Sequence, residues 1–122
     1  MPITYTIDRE KKLILETWTG EVSASDLAEY WKRYLGDTEV LPLRRTVVDM
    51  REAVIRFTGW EMDRLIKDIV LPALEGRDWK TAIVVKEPTQ FGVSRQYQVF
   101  AQRYSKDSIF STVEEARTWL AR

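Results

Sequence analysis

The run Thr81-Ala82-Ile83-Val84-Val85 is apolar at four of its five positions. A strand of this kind is covered on both faces, as in a parallel sheet whose crossover helices lie above and below it. Segments with helical spacing stand on either side of the run, and strands that alternate with helices predict a parallel sheet built from right-handed crossovers. We therefore expect an α/β fold.

The spacing of hydrophobic residues, alternating in strands and helical in helices, divides the rest of the chain into elements. Residues 3–8 and 13–19 alternate in hydrophobicity around the polar turn 9–12, which predicts an antiparallel hairpin. Pro72 is expected to end or kink the second helix near Leu71, because proline disfavours helical geometry in the residue before it. After the hairpin, the predicted elements are helix 23–35, strand 45–50, helix 58–70, strand 81–85, helix 92–104, strand 107–110 and helix 112–120.

The composition excludes several classes of function. The chain has 122 residues, 44% hydrophobic and 31% charged, which predicts one folded domain over residues 1–122. It has no histidine and no cysteine, which excludes Ser-His-Asp and Cys-His catalysis and the usual zinc and iron–sulfur sites. We expect no cofactor.

The charge and the apolar runs bear on partners and location. Nineteen basic and nineteen acidic side chains cancel, whereas a nucleic-acid binder usually has a basic excess, so no nucleic-acid partner is expected. The longest apolar runs are about four residues, too short for a membrane span or a secretory signal. These features predict a cytoplasmic protein.

Four stretches of the chain resemble a known family. They are residues 47–50 (VVDM), 82–85 (AIVV), 91–97 (FGVSRQY) and the ending 109–120 (IFSTVEEARTWL). Together they resemble the bacterial SpoIIAA-like proteins of the STAS-like superfamily, over nearly the whole chain. The resemblance implies a β/α superhelix with a mixed sheet of about five strands, the first antiparallel and the others parallel, and about four helices.

The resemblance also implies a role for Thr58. The best-known relatives are anti-anti-sigma factors, which bind a protein kinase and are phosphorylated on a serine in an Asp-Ser-Ser-Gly motif at the start of the second helix. The matching residues 56–59 here are Arg-Phe-Thr-Gly, so Thr58 takes the place of the phosphorylated residue, while the aspartate and first serine are absent. The residues alone predict a helix cap at Thr58, since Glu61 completes a capping box.

Three arginines near the carboxyl ends of the predicted strands are candidates for anion binding. Together with Lys86, these arginines (Arg51, Arg56 and Arg95) could hold an anion with the helix N-termini, and Arg51 and Arg56 could pair with a phosphate on Thr58. The alternative interpretation is an ordinary solvated rim.

An unusually apolar segment follows the third predicted strand. Residues 54–57 and Trp60 form an apolar loop and helix start, with Phe91 on the same side of the sheet. Phe57, Trp60 and Phe91 are expected to form a ligand pocket or a partner surface, or to fold onto the sheet as core. Trp18 is left partly exposed if all helices pack on one face.

These observations leave three functions open. We expect a non-catalytic interaction or regulatory module that binds a protein partner or a second copy of itself. The alternative is a carrier of a small apolar molecule or lipid, with a pocket near residues 54–60 lined by Phe57, Trp60 and Phe91. An enzyme would use Asp49 or Glu87 and requires a carboxylate of raised pKa in a cleft; nothing else converges on these two side chains, so no enzyme is expected.

Overall fold

The computed structural model describes residues 1–122 as a five-stranded sheet with helices on both faces. The strands lie in the order β1-β2-β3-β4-β5; β1 is antiparallel to β2, and all other neighbours are parallel. The predicted mixed sheet is therefore confirmed. The strands are β1 (Ile3–Asp8), β2 (Leu13–Ser23), β3 (Arg45–Arg56), β4 (Trp79–Val84) and β5 (Ser105–Phe110).

The helices form a thick layer on one face of the sheet and a single helix on the other. A π-helical turn, Ile66–Val70, joins α2 and α3 into one helical segment. None of the helices combines the length and apolar character needed to cross a membrane. The helices are α1 (Ala24–Leu35), α2 (Gly59–Leu65), α3 (Leu71–Leu74), α4 (Pro88–Phe100) and α5 (Val113–Leu120).

This two-sided packing settles the position of Trp18. Leu13, Val47 and Ala82 face α5, whereas Ile14 and Trp18 face the thick layer of α1 to α4. Trp18 is only 5% exposed. The exposure expected from one-sided packing is therefore wrong, because α1 to α4 cover the face on which Trp18 lies.

The helical segment after Thr58 continues through Pro72. The N–H of Leu71 donates to the carbonyl of Ile66, five residues earlier rather than four. This wider turn accommodates a proline, which has no N–H and whose ring would clash with the carbonyl four residues before it in a regular helix. Of the two predicted effects of Pro72, an end or a kink near Leu71, the end is not found: the helical backbone is irregular at residues 66–70 and runs on to Leu74.

Strand β3 is longer than predicted and contains a bulge. Residues 54–56, predicted as loop, pair with β2 in parallel. Between Asp49 and Glu52, β3 has one residue more than the facing part of β2, from Thr17 to Thr19. An extra residue reverses the alternation of side chains, so Met50 and Phe57 both face the thick helix layer.

Helix α4 begins at Pro88, not at Gly92, because Gln90 caps its start. The Gln90 side chain is 1% exposed, and its Oε1 accepts hydrogen bonds from the N–H groups of Lys86 and Glu87 at 2.8 and 3.0 Å. Its Nε2 donates to the carbonyls of Arg51 and Ala53 at 3.1 and 3.0 Å. The side chain thereby links α4 to the part of β3 that extends beyond β4.

Candidate functional site

A cavity of about 60 Å³ lies between the sheet and the thick helix layer. Of the nineteen residues that line it, fifteen are hydrophobic, and none is lysine or arginine. Glu16 is the single acidic side chain among them. Six aromatic side chains form much of the wall: Trp18, Trp31, Tyr34, Phe57, Trp79 and Tyr97.

Glu16 reaches the cavity because it lies on the inward face of β2, between Ile14 and Trp18. It is 5% exposed. The Tyr30 hydroxyl donates to its Oε1 and the Trp18 indole N–H donates to its Oε2, both at 2.7 Å. Burial raises the pKa of the Glu16 carboxyl to about 7, although these two hydrogen bonds act to lower it. A carboxylate can accept further hydrogen bonds, so Glu16 retains capacity to bind a ligand.

The hydroxyl groups around the cavity are engaged in hydrogen bonds within the fold. The Thr46 hydroxyl lies 2.8 Å from the Tyr34 hydroxyl and accepts from the Trp79 indole N–H at 3.1 Å. The Ser94 hydroxyl donates to the carbonyl of Gln90 at 2.8 Å. These contacts hold the wall of the cavity in place.

A second carboxyl group of low exposure, that of the half-buried Asp107, lies on the same face of the sheet as Glu16. It stands beside Thr81 in the register of β4 and β5, and the Ser105 hydroxyl donates to its Oδ1 at 2.6 Å. Its Oδ2 is buried without a hydrogen-bond partner. Burial raises the pKa of Asp107 to about 6.

The three aromatic residues singled out in the sequence occupy different environments. Phe57 is 8% exposed, lines the cavity and packs against Trp18, with ring centroids 6.2 Å apart. Trp60 and Phe91 are 70% and 50% exposed and lie outside the cavity. The pocket predicted to contain all three therefore contains Phe57 alone, because the bulge turns Phe57 inward while Trp60 and Phe91 occupy the outer sides of α2 and α4.

The structure places Thr58 at the N-cap of α2. Its hydroxyl accepts from the N–H of Glu61 at 3.1 Å, and Glu61 accepts from the N–H of Thr58 at 2.9 Å. Both partners of the predicted capping box are thus present. Thr58 is also exposed, with its hydroxyl at the surface of the helix start.

Two of the three arginines form ion pairs within the sheet. Arg51 binds Asp49 through two nitrogens at 2.9 and 3.0 Å, and Arg56 pairs with Glu21 at 2.9 Å. Arg95 lies on the exposed side of α4. Asp49 and Glu21 therefore already neutralise two of the three guanidinium groups.

The two carboxylates considered for catalysis do not have the required environment. The Arg51 guanidinium lowers the pKa of Asp49 through its hydrogen bonds. Glu87 is exposed at the start of α4. The carboxyl groups with a raised pKa are instead Glu16 and Asp107, which sequence analysis missed. The available signal was a carboxylate on the inward side of an alternating strand, between Ile14 and Trp18.

Comparison with known proteins adds the fold family. No protein-family model and no curated protein matches the sequence. Among solved structures, the chain is similar to an uncharacterized protein of the DUF3478 family, with a SpoIIAA-like fold, from Shewanella loihica PV-4. The two share 17% sequence identity with a TM-score of 0.64, over 97% of this chain and 93% of the other. The five strands, their order and this likeness together show that the chain has a SpoIIAA-like fold.

Proposed function

We propose that this protein is a non-catalytic binding protein that holds a small, largely apolar molecule in the cavity beneath α1 to α4. The observation that supports this function is a carboxylate, Glu16, that faces a mostly apolar space of about 60 Å³. Ligand sites are commonly apolar concavities with a few placed polar groups. The hydroxyls of Thr46 and Ser94 serve structural hydrogen bonds, which favours binding over chemistry at this site.

Xenon is expected to enter the cavity and to shift the methyl NMR signals of Val48, Val70 and Val93. Small apolar atoms occupy such cavities because they gain dispersion contacts that the empty space lacks. The measurement is a series of methyl spectra of the protein under increasing xenon pressure, with shifts that saturate.

Two valines of α4 provide a matched pair of variants for this measurement. Val93→Phe fills the cavity and should abolish the shifts, whereas Val99→Phe changes a residue that is 61% exposed and should preserve them. If the phenylalanine of Val93→Phe prevents folding, the smaller change Val93→Leu can be used to reduce the cavity volume instead. Xenon shifts of equal size in the filled variants would show that the cavity is not the binding site.

We also propose self-association through the exposed side of α4, because this side has an apolar character unusual for a helix surface. Phe91, Arg95 and Val99 follow one another at four-residue spacing, and all three are exposed. Trp60 follows Gly59 at the start of α2, and Gly59 lies directly against the side chain of Gln96 in α4, so we infer that Trp60 lies near this side of α4. We name Trp60, Phe91, Arg95 and Val99 the α4 face.

We propose that the α4 face binds a second copy of the chain. Large exposed aromatic side chains are enriched at protein interfaces. Arg95 has no acidic partner within the chain, and the exposed Glu87 and Glu61 lie at the starts of α4 and α2. A basic group within the α4 face and acidic groups at the starts of the same helices give the charge complementarity that pairing about a two-fold axis requires. Phosphorylation of Thr58, beside Trp60, would add about two negative charges to this face and regulate the pairing.

Sedimentation velocity over a range of concentrations should detect a dimer that the α4 face holds together. The double variant Phe91→Ser with Val99→Ser is expected to raise the dimer dissociation constant at least about tenfold, because each serine removes apolar contact area. Val54→Ser, at an exposed valine of β3, is the control and should leave the constant unchanged. A protein that remains monomeric at high micromolar concentration contradicts this second function.

A further inference from the structure

The Glu16 carboxyl group lacks a positive partner within the chain. Both of its hydrogen-bond donors, Trp18 and Tyr30, are neutral. The ion pairs of the protein involve other carboxylates, and no lysine or arginine lines the cavity. An unpaired buried carboxylate is costly, so the cavity is electrostatically incomplete whenever this group is charged.

The walls around Glu16 have a second property, a high density of aromatic rings. The rings of Trp18, Trp31 and Phe57 line the cavity together with those of Tyr34, Trp79 and Tyr97. The face of an aromatic ring is electronegative and attracts cations, and cages of such rings recognise methylated ammonium groups. Apolar methyl groups also suit a wall that is otherwise hydrophobic.

The size of the cavity narrows the class of ligand. Its volume of about 60 Å³ corresponds to roughly four to six water-sized groups. A trimethylammonium group has four non-hydrogen atoms, about the lower end of that range. The cavity volume, the aromatic rings and the single carboxylate therefore all suit a methylated ammonium group.

We propose that the cavity binds a methylated ammonium cation, with Glu16 as its counter-charge and the rings of Trp18, Trp31 and Phe57 as its cage. This inference rests on the proposed binding function and names the chemical class of its ligand. An anionic or carboxylate ligand is disfavoured by the same arrangement, because Glu16 would repel it with no cation nearby to compensate.

The test compares tetramethylammonium with tert-butyl alcohol, two probes with equal numbers of non-hydrogen atoms that differ in charge. The indole N–H signal of Trp18 reports binding by NMR, since that group donates to Glu16. Tetramethylammonium is expected to bind at least about tenfold more tightly than the alcohol, as desolvated cation–π and ion-pair contacts predict. Glu16→Gln should remove this advantage and leave the affinity for the alcohol unchanged.

A second pair of variants tests the cage without altering Glu16. Phe57→Leu removes a ring from the cavity wall and should weaken tetramethylammonium binding, whereas Trp60→Leu removes an exposed ring and should not. If the alcohol binds as tightly as the cation, or if xenon alone enters, the proposal of a methylated ammonium ligand is wrong, whereas the proposed binding function of the cavity is retained. If neither probe nor xenon enters, both proposals fall.

Discussion

Raising the pH from about 5 to about 8 is expected to lower the free energy of unfolding by roughly 2 to 3 kcal/mol through Glu16 alone. The pKa of this carboxyl is about 7 in the folded protein, against an ordinary value of 4.5. Between these values the folded protein holds a proton that the unfolded chain has released. The stability that Glu16 contributes is therefore fully present below pH 4.5 and is lost as the pH rises through about 7.

The groups that face Glu16 do not obscure this titration. They are Tyr30 and Tyr34 of α1 and Tyr97 of α4, and burial raises the pKa of each hydroxyl, so all three stay neutral in this range. Asp107, whose pKa is raised to about 6, adds a loss of the same sign. The contribution of Glu16 is therefore obtained by comparing how the free energy of unfolding changes with pH in the wild-type protein and in a variant that lacks the Glu16 carboxyl but keeps Asp107.

Urea denaturation of the wild-type protein and of Glu16→Gln, from pH 5 to pH 8, measures that difference. The amide can still accept from Trp18 and can donate to the Tyr30 hydroxyl, so the variant is expected to fold. Its stability should fall less with pH than that of the wild-type protein. Two parallel curves would show that Glu16 does not titrate in this range.

Gln90→Ala is expected to lower the free energy of unfolding by about 3 kcal/mol, because several buried polar groups lose their partners at once. The substitution removes four hydrogen bonds and leaves the carbonyl of Ala53 buried without its donor. It also frees the start of α4 from β3. Hydrogen exchange at the amides of Lys86 and Glu87 should accelerate accordingly.

Two further glutamine variants complete that experiment. Gln102→Ala changes an exposed glutamine and should shift the unfolding midpoint little. Gln90→Glu retains the size of the side chain and loses the donor to the carbonyls of Arg51 and Ala53, so it should also destabilise the protein. A loss below about 1 kcal/mol in Gln90→Ala would contradict the linking role of this side chain.

The order and type of the elements could be predicted from the sequence because each has a strong local signal. The alternation around residues 9–12 predicts the hairpin, and the run at 81–85 predicts a strand covered on both faces. The limits of β3 and α4 were harder to predict. Pairing with β2 extends β3 to Arg56, and the Gln90 hydrogen bonds start α4 at Pro88; both depend on contacts between distant segments.

The candidate site was less predictable than the fold. Glu16 and Asp107 stand on strands where a charged residue ordinarily indicates the solvent side, and their low exposure depends on how the helices pack over the sheet, which the strand pattern does not show. Phe57 was identified, but its place in the cavity depends on the extra residue in β3. The exposed Trp60 and Phe91 were grouped with it because all three follow the ends of neighbouring strands.

The bulge in β3 also governs how this chain should be aligned with its relatives. A related strand without the extra residue needs a gap between Asp49 and Glu52, where the register against β2 shifts. If no gap is placed there, every later position of β3 is compared with a residue from the opposite face, and Phe57 is matched to an outward side chain. Identity scores computed across an ungapped β3 would therefore understate the likeness of the cavity walls.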